Sequence, residues 1–462
     1  MTVLDQFDIQ KILKTSLQNG GDFADIFYEY VQPVSIVCED GKIEKIISGI
    51  DLGAGLRVIY NHKTAYAYTN QLTEKGLLEA AEAVKSACQG KVFEKGINLA
   101  RKTSNIDHNI RRMPQEVSID EKVFLVKKAE EIARSYDKRI KQVKVVYRDS
   151  VRKVAVANSE GDLREDDRTG IIFMVQVVAQ DKNVIQTGHE PIGGFIGFEL
   201  FDAHPPEEIA EIACKRALTM LQARRAPGGK MPAVLSSEAG GTMIHEAIGH
   251  GLEADLVQTG MSVYSGKIGK EVASPMITVI DDATLPNKRG SYAFDDEGVP
   301  SQKTILVERG ILKSLLYDRL TALKDGTFST GNGRRESYQS RPIARMSNTF
   351  IAPGEMSPDE IVRRTNKGIF VKKMGGGQVN TVNGDFVFEV SEGYLIENGE
   401  IDEPVRGATL KGNGPKLLKT IDMVGNDLGF AIGTCGKDGQ GVPVSDAQPT
   451  LRIPEIVVGG EV

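Results

Sequence analysis

The segment GGTMIHEAIGHGLEAD, residues 240–255, holds two of the six histidines of the chain, His245 and His250, with Glu246 directly after the first. No other stretch gathers metal-binding side chains this way, and neutral imidazoles beside a carboxylate are the parts from which metal-assisted hydrolysis is built. In the zincin pattern H-E-x-x-H the histidines stand four residues apart, about 40° around an ideal helix, so both rings reach one metal. Here the pattern is H-E-x-x-x-H and the spacing is five, which leaves the rings about 140° apart on an ideal helix. A local wide turn of the π type closes that gap, and such turns are frequent at functional sites. The spacing therefore predicts an irregular helix between His245 and Gly251, with the distortion at Gly249.

A hydrolytic zinc uses three protein ligands and keeps a position open for water, so the two histidines need a third ligand: a cysteine, a histidine or a carboxylate. Cys88 and Cys214 fall on apolar helical stripes and Cys38 on a strand-like run, so these three read as core. Cys435 lies in GTCGKDGQG, read as a glycine-dense loop that presents a thiolate without burying it in a helix face. Glu253 and Asp255 are nearer in sequence, but either is as easily a solvated helix residue. The residues chosen as metal ligands are thus His245, His250 and Cys435. Glu246 is then the general base, taking a proton from a zinc-activated water, whose pKa falls to roughly 7, and returning it to a leaving nitrogen. The plain reading, a helix with two hydrogen-bonded histidines and a surface glutamate, stands beside it. A closed structural zinc site fits less well, because it uses four ligands.

Other chemistry-bearing clusters read as structural. Asp295-Asp296-Glu297 is expected to be a solvated turn. Gly375-Gly376-Gly377 and Gly331-Asn332-Gly333 lack the Lys-Ser/Thr of a phosphate-binding loop and are assigned to turns or to close approach by another chain. His62, His108, His189 and His204 stand in polar or Pro/Gly-rich surroundings. Arg334, Arg335, Arg341 and Arg345 read as surface charge or interdomain pairs.

The elements that must position these residues fall into three stretches. Leu4 to Leu17 keep near-helical spacing up to Gly20-Gly21, after which residues 24–69 read as about five strands, followed by a helix through Leu77 and Val84. A long polar connection spans residues 90 to 116. Ser118 and Glu121 then form a capping box ahead of a third helix, strands follow, and Ile209 to Leu221 make another apolar stripe. Helix, strands, helix thus occurs twice, a candidate duplication. Arg224 to Gly229 combine charge with helix breakers and mark the main boundary. The domains are read as 1–116, 117–225 and 226–462. The fold class is α+β: helices packed on antiparallel strands, followed by a mostly β C-terminal domain that carries the metal-site helix and short helices near Thr242, near Tyr317 and at Ser357-Pro358.

The chain has 462 residues, enough for several cores, and its 57 Lys and Arg against 63 Asp and Glu give a net charge of −6. That balance offers little attraction for nucleic acid or anionic lipid. No apolar run approaches the length of a membrane span, and the first twenty residues lack the apolar block of a signal peptide. Four cysteines without a C-x-x-C pair fit a reducing compartment, so the protein is read as cytoplasmic.

HEAIGHGLEAD from His245, GGGQVNTVNGDFVFEV from Gly375 and GTCGKDGQGVPVSDAQPTLRI from Gly433 together resemble the TldD/PmbA (TldD/TldE) metalloprotease family, in its TldD-like, metal-binding branch. The resemblance runs along nearly the whole chain. It implies zinc held by His245, His250 and Cys435, Glu246 as catalytic base, and two subunits enclosing a central cavity. It also implies pairing with a metal-free TldE/PmbA-like relative or with a second copy, and substrates that are unfolded polypeptides or peptide precursors. Two other functions are weighed against it: a non-catalytic interaction protein that modulates a DNA topoisomerase or a toxin-antitoxin system, and a zinc amidase acting on a small molecule.

Overall fold

A computed structural model of the chain describes residues 3–90, 96–103 and 106–460. Helix α1 (Ile9–Ser16) is capped by Asp8, whose carboxylate accepts from the Lys11 N–H, and it buries Ile9, Ile12 and Leu13. Strands β1 (Phe23–Glu39), β2 (Lys42–Ser48), β3 (Asp51–Tyr60) and β4 (Lys63–Thr69) follow, then α2 (Glu74–Ser86). There are four strands here instead of five, because ADIFYEYV and SIVCED run together through Pro33. Along β1, pairing with β3 ends at Val31 and pairing with β2 starts at Val34, so the proline falls where the flanking partner changes. In the polar connection, residues 91–95 and 104–105 lie outside the described residues. Its Ala100–Arg101 (β5) pairs in parallel with a later strand.

Helix α3 (Ile119–Tyr136) begins where the Ser118 hydroxyl accepts from the Glu121 N–H at 3.2 Å. Only that half of the expected capping box forms, since the Glu121 carboxylate is taken by Arg112 at 2.8 Å. Strands β6 (Ile140–Asn158), β7 (Asp162–Asp181) and β8 (Val184–Gly194) precede α4 (Pro206–Gln222). One sheet contains them all: the order β4-β3-β1-β6-β7 continues to β8, with β2 on β1 and β5 on β7. Strands β1 and β6 meet antiparallel at its centre, and each half runs outward from them in chain order, so the repeated order of elements becomes a repeated arrangement in space. Cys38 and Cys214 lie in one apolar cluster of this half and Cys88 in another, as the stripes predict.

Beyond residue 226 the chain is strand-rich. The strands β9 (Gly229–Leu235), β10 (Val279–Asp282), β11 (Lys303–Glu308), β12 (Asn348–Ile351), β13 (Lys367–Val379), β14 (Asp385–Glu397), β15 (Glu400–Arg406), β16 (Thr409–Asn413), β17 (Gly429–Lys437), β18 (Gln440–Gln448) and β19 (Leu451–Gly459) form two sheets. In the first, β13-β9-β19-β16-β14 closes into a ring because β14 also pairs with β13, and β15 lies outside on β14. In the second the order is β11-β10-β12-β18-β17. The interiors share one large apolar cluster that includes Ile244, Ile248, Ile369, Phe388 and Ile453. Short helices occur at Thr242–Ile244, Arg319–Asp325 and Pro358–Arg363, the last capped by Ser357.

The two halves meet through buried charge. Arg57 on β3 binds Asp25 through Nε at 2.8 Å and Glu297 through Nη1 at 2.5 Å. Arg168 on β7 binds Asp296 at 2.6 Å and the Phe294 carbonyl at 2.7 Å. Asp295 accepts from the N–H groups of Glu297, Val299 and Gly333. Asp295-Asp296-Glu297 is therefore buried, against the expected solvated turn, because cations more than a hundred residues away in sequence close on it. Arg334, Arg335 and Arg345 are also buried, whereas Arg341 stays exposed.

Candidate metal centre

Residues Thr242–Ile244 make a single α-turn, His245–Gly249 a π-turn and His250–Leu252 a 3₁₀ turn. The His250 N–H donates to the His245 carbonyl, an i→i+5 bond that sets the second histidine above the first. This is the wide turn the spacing predicts. Gly249 belongs there for packing: a Cβ on it meets the Met346 sulfur at 2.1 Å. The apolar face of the segment, Met243, Ile244, Ala247 and Ile248, lies in the core and holds the irregular turn against the barrel.

The rings of His245 and His250 stand edge to face, 4.8 Å between centroids at 86°. The hairpin β17–β18 brings the other parts, from almost two hundred residues away. Cys435 is on β17, buried, with Sγ 3.5 Å from His250 Nε2. The sequence reading had it in a loop; the strand arises because Asp438-Gly439 turns the chain and pairs Cys435 with Val442. One ligand atom from each of His245, His250 and Cys435 lies within 4.8 Å of the others, a spacing that suits a shared ion.

Two carboxylates orient these donors. His245 Nδ1 is 2.8 Å from Asp446 on β18, and His250 Nδ1 is 3.0 Å from Glu253. With both Nδ1 atoms engaged by carboxylates, each ring presents Nε2 to the common point, which is how metal-binding imidazoles are held. Glu253 is fully buried, against the solvated alternative weighed for it, and Lys437 Nζ lies 3.2 Å from it and 2.7 Å from Asp255. Burial works to raise the Glu253 carboxyl, but Lys437, His250 and Arg345 outweigh it and hold it at about 2. Sequence reasoning missed Asp446 altogether and weighed Glu253 only as a candidate ligand, not as the partner of His250 Nδ1. The short spacing from His250 to Glu253 was a usable signal; nothing in VSDAQP pointed to Asp446.

The electrostatics suit a thiolate. Burial raises the Cys435 thiol, yet hydrogen bonds from His245 and His250 and their charge bring it down to about 6. Burial likewise opposes charge on His250, and Glu253 and Cys435 outweigh it, lifting it to about 10. Without metal these shifts, with His245 likewise raised by Asp446 and Cys435 against its burial, favour a thiolate facing imidazolium groups, and a cation that replaces the two protons keeps that charge balance. The donor set, two nitrogens and a thiolate, fits zinc. Glu246 follows His245 on the π-turn and is partly exposed. Of the remaining histidines, His108 accepts from the Asn287 N–H and packs on Phe195, outside the cluster.

Comparisons with known proteins agree along the whole chain. Family models described as PmbA/TldA metallopeptidase domain 1, central domain and C-terminal domain match residues 24–88, 112–221 and 228–460. A Haemophilus influenzae protein named metalloprotease TldD homolog is 37% identical, covering 99% of this chain and 96% of its own. A metalloprotease of Methanocaldococcus jannaschii is 40% identical over 96% of this chain and 98% of its own. A Saccharolobus solfataricus protein named zinc metalloprotease TldD homolog is 29% identical over 98% and 100%. Among solved structures, a Thermotoga maritima protein named as a candidate modulator of a DNA gyrase superposes with a TM-score of 0.79 at 25% identity, covering 95% of this chain and 96% of that one. TldE from Thermococcus kodakarensis shares the fold, with a TM-score of 0.79 at 19% identity over 99% and 100%. No helix among the described residues is long and apolar enough to cross a membrane. By full-length identity to named metalloproteases and by three successive domain matches, the chain belongs to the PmbA/TldD metallopeptidase family.

Proposed function

We propose that the chain is a zinc-dependent peptidase that hydrolyses peptide bonds of unfolded polypeptides or peptide precursors, with His245, His250 and Cys435 as the zinc ligands and Glu246 as the base. One observation carries the reading: three donor atoms within 4.8 Å, two of them aimed by buried or part-buried carboxylates. Zinc, when bound, supplies Lewis acidity at the scissile carbonyl and activates water. Glu246 takes a proton from the attacking water and returns it to the leaving nitrogen. Asp446 and Glu253 keep the imidazole Nδ1 atoms engaged, and the core excludes water behind the donors.

An unfolded substrate suits strand addition. β13 pairs with β9 only from Ile369 to Val371, but continues against β14 to Val379, so among the described residues its other flank carries no strand over residues 373–379. Gly376 on that stretch has open space around it. Main-chain bonding to such a flank accepts many sequences but demands an extended chain. Met374, on the same stretch, packs in the cluster that holds Ile244 and Ile248 of the site helix.

A TldE/PmbA-like relative or a second copy as partner belongs to this reading, supported by the likeness to TldE. So does a cytoplasmic setting, supported by four free cysteines. The division into 1–116, 117–225 and 226–462 is also part of it, supported by the three family models. A non-catalytic modulator is the competing function, favoured by the name of the Thermotoga maritima neighbour.

The test is metal analysis of the purified chain, with proteolysis of an unfolded polypeptide alone and with a TldE-like partner. We expect about one zinc per chain, lost in Cys435→Ala and His250→Ala. Glu246→Gln is expected to keep the zinc and lower kcat by roughly 10² to 10⁴. A metal-replete chain without zinc, or full activity in Glu246→Gln, overturns the peptidase and favours the modulator.

A further inference from the structure

Buried guanidinium groups in this fold are, as a rule, well compensated. Arg57 meets Asp25 and Glu297, Arg168 meets Asp166 and Asp296, and Arg216 meets Glu190 and Glu392. Buried Arg334 and half-buried Arg289 depart from that rule. Arg334 is buried and donates to the carbonyls of Met346 at 2.5 Å and Pro443 at 2.7 Å, with no ion pair among the described residues. Arg289 spends Nη1 on the Gly433 carbonyl and on Thr434 Oγ1 at 3.2 Å, and it too has no carboxylate partner among the described residues. Burial and the nearby charges of Arg334 and Arg148 pull its pKa down to about 10.

Arg289 faces a cleft of about 300 Å³ between the first sheet and the β17–β18 hairpin, which Arg148, Ser35, Ser150, Phe195 and Pro443 also line. Arg148 is exposed and likewise has no ion pair among the described residues. The carboxylate in this lining, Asp149, is already held by Lys122 at 2.6 Å and Tyr147 at 2.7 Å. The other two arginines of the wall are spoken for by Glu29 and Asp296. The cleft therefore combines cations that lack anions among the described residues, the hydroxyls of Ser35 and Ser150, and an apolar floor, on the opposite face of the hairpin from Cys435, since Thr434 pairs with Pro443 and alternates with the Cys435–Val442 pair.

We propose that this cleft is an oxyanion-binding site in which Arg148 and Arg289 clasp either a carboxylate of a bound polypeptide or a free inorganic oxyanion such as phosphate. Planar guanidinium donors match a two-oxygen anion, and a site short of negative charge gains most from one. The inference does not rest on the peptidase reading and is tested by binding, without turnover.

The experiment uses the full-length chain as purified, with its zinc content measured. Inorganic phosphate is titrated calorimetrically, and a labelled peptide without acidic side chains is titrated by anisotropy with a free and with an amidated C-terminus. Arg148→Gln, Arg289→Gln and Arg289→Lys are compared, each with its zinc content and Tm. The expected result is a loss of about tenfold or more in affinity in both glutamine variants, partly restored by lysine, with Arg148→Gln keeping its zinc and Tm. Weakening by amidation assigns the site to a polypeptide carboxylate; phosphate binding without an amidation effect assigns it to a free anion. Absence of binding by every probe, or equal affinity in Arg148→Gln and the unmodified chain, overturns the proposal, the latter outcome placing the anion outside this cleft.

Discussion

Two of the buried groups of charge in this chain are organised to opposite ends. At the junction of the halves, Asp25 lies against the guanidinium groups of Arg57 and Arg335, Glu297 against Arg57 and Asp296 against Arg168, so carboxylate and guanidinium close on each other. At the candidate metal centre, the carboxylates of Asp446 and Glu253 stop one bond short. They bind the far nitrogens of His245 and His250 and leave two Nε2 atoms and the Cys435 sulfur turned to a common point. Burial alone therefore does not separate scaffold from chemistry. The separating feature is whether the set of charges is complete without a further ion, and the junction is complete where the metal centre is not.

Breaking the junction gives the largest effect expected from this contrast. Arg57→Met leaves Asp25 and Glu297 buried without their shared cation, and removing one member of a buried ion pair costs about 3–5 kcal/mol. Denaturant unfolding measures that loss. Zinc per folded chain stays unchanged, because Arg57 shares no bond with the three ligands. A loss of zinc in proportion to stability contradicts the separation of the two regions.

The reverse substitution is smaller and falls on the other observable. Asp446→Asn keeps the shape beside His245 Nδ1 but removes the charge, and a carboxylate that holds the far nitrogen of a metal-binding imidazole is worth 10- to 100-fold in metal affinity, about 1–3 kcal/mol. Competition with a chromophoric chelator reads it directly. Stability of the zinc-free chain should move far less than in Arg57→Met; an affinity unchanged within twofold removes Asp446 from the site.

How much of this was legible in the sequence depended on distance along the chain. The five-residue spacing of His245 and His250 forced the π-turn, since an ideal helix parts the rings, and the alternation of apolar residues marked the core cysteines. Cys435 could be singled out by its surroundings but not placed, because the glycines around it resemble a loop until Asp438-Gly439 is seen as the turn of a hairpin. Asp446 and the carboxylates at 295–297 were opaque for a stronger reason. Their partners are His245, Arg168 and Arg57, and no local periodicity records a pairing across 100 to 250 residues. An acidic run is solvated by default, and only tertiary cations overturn that.

Acid separates the two regions without mutation, and in folding free energy it is the smallest effect. Burial raises the Asp296 carboxyl, but Arg168, Arg152 and Arg335 outweigh it and hold it at about 2. A carboxyl lowered in the folded state stabilises fully above its unfolded pKa, near 3.8, and loses that contribution as pH falls toward 2; at pH 4 this residue has given up only about 0.3 kcal/mol. The metal centre works the other way. Its imidazoles bind protons more tightly in the metal-free chain than free histidine does, His250 up to about 10, so each proton competes with the metal throughout the neutral range. While Cys435 stays ionised, above about 6, each metal bound displaces about two protons and affinity falls on the order of 100-fold per pH unit. Zinc should therefore leave between pH 7 and pH 4 while the circular dichroism of the fold barely changes. Zinc retained at pH 4 shows that the ligands are not these residues; zinc and fold lost together show that the centre holds the structure as much as the junction does.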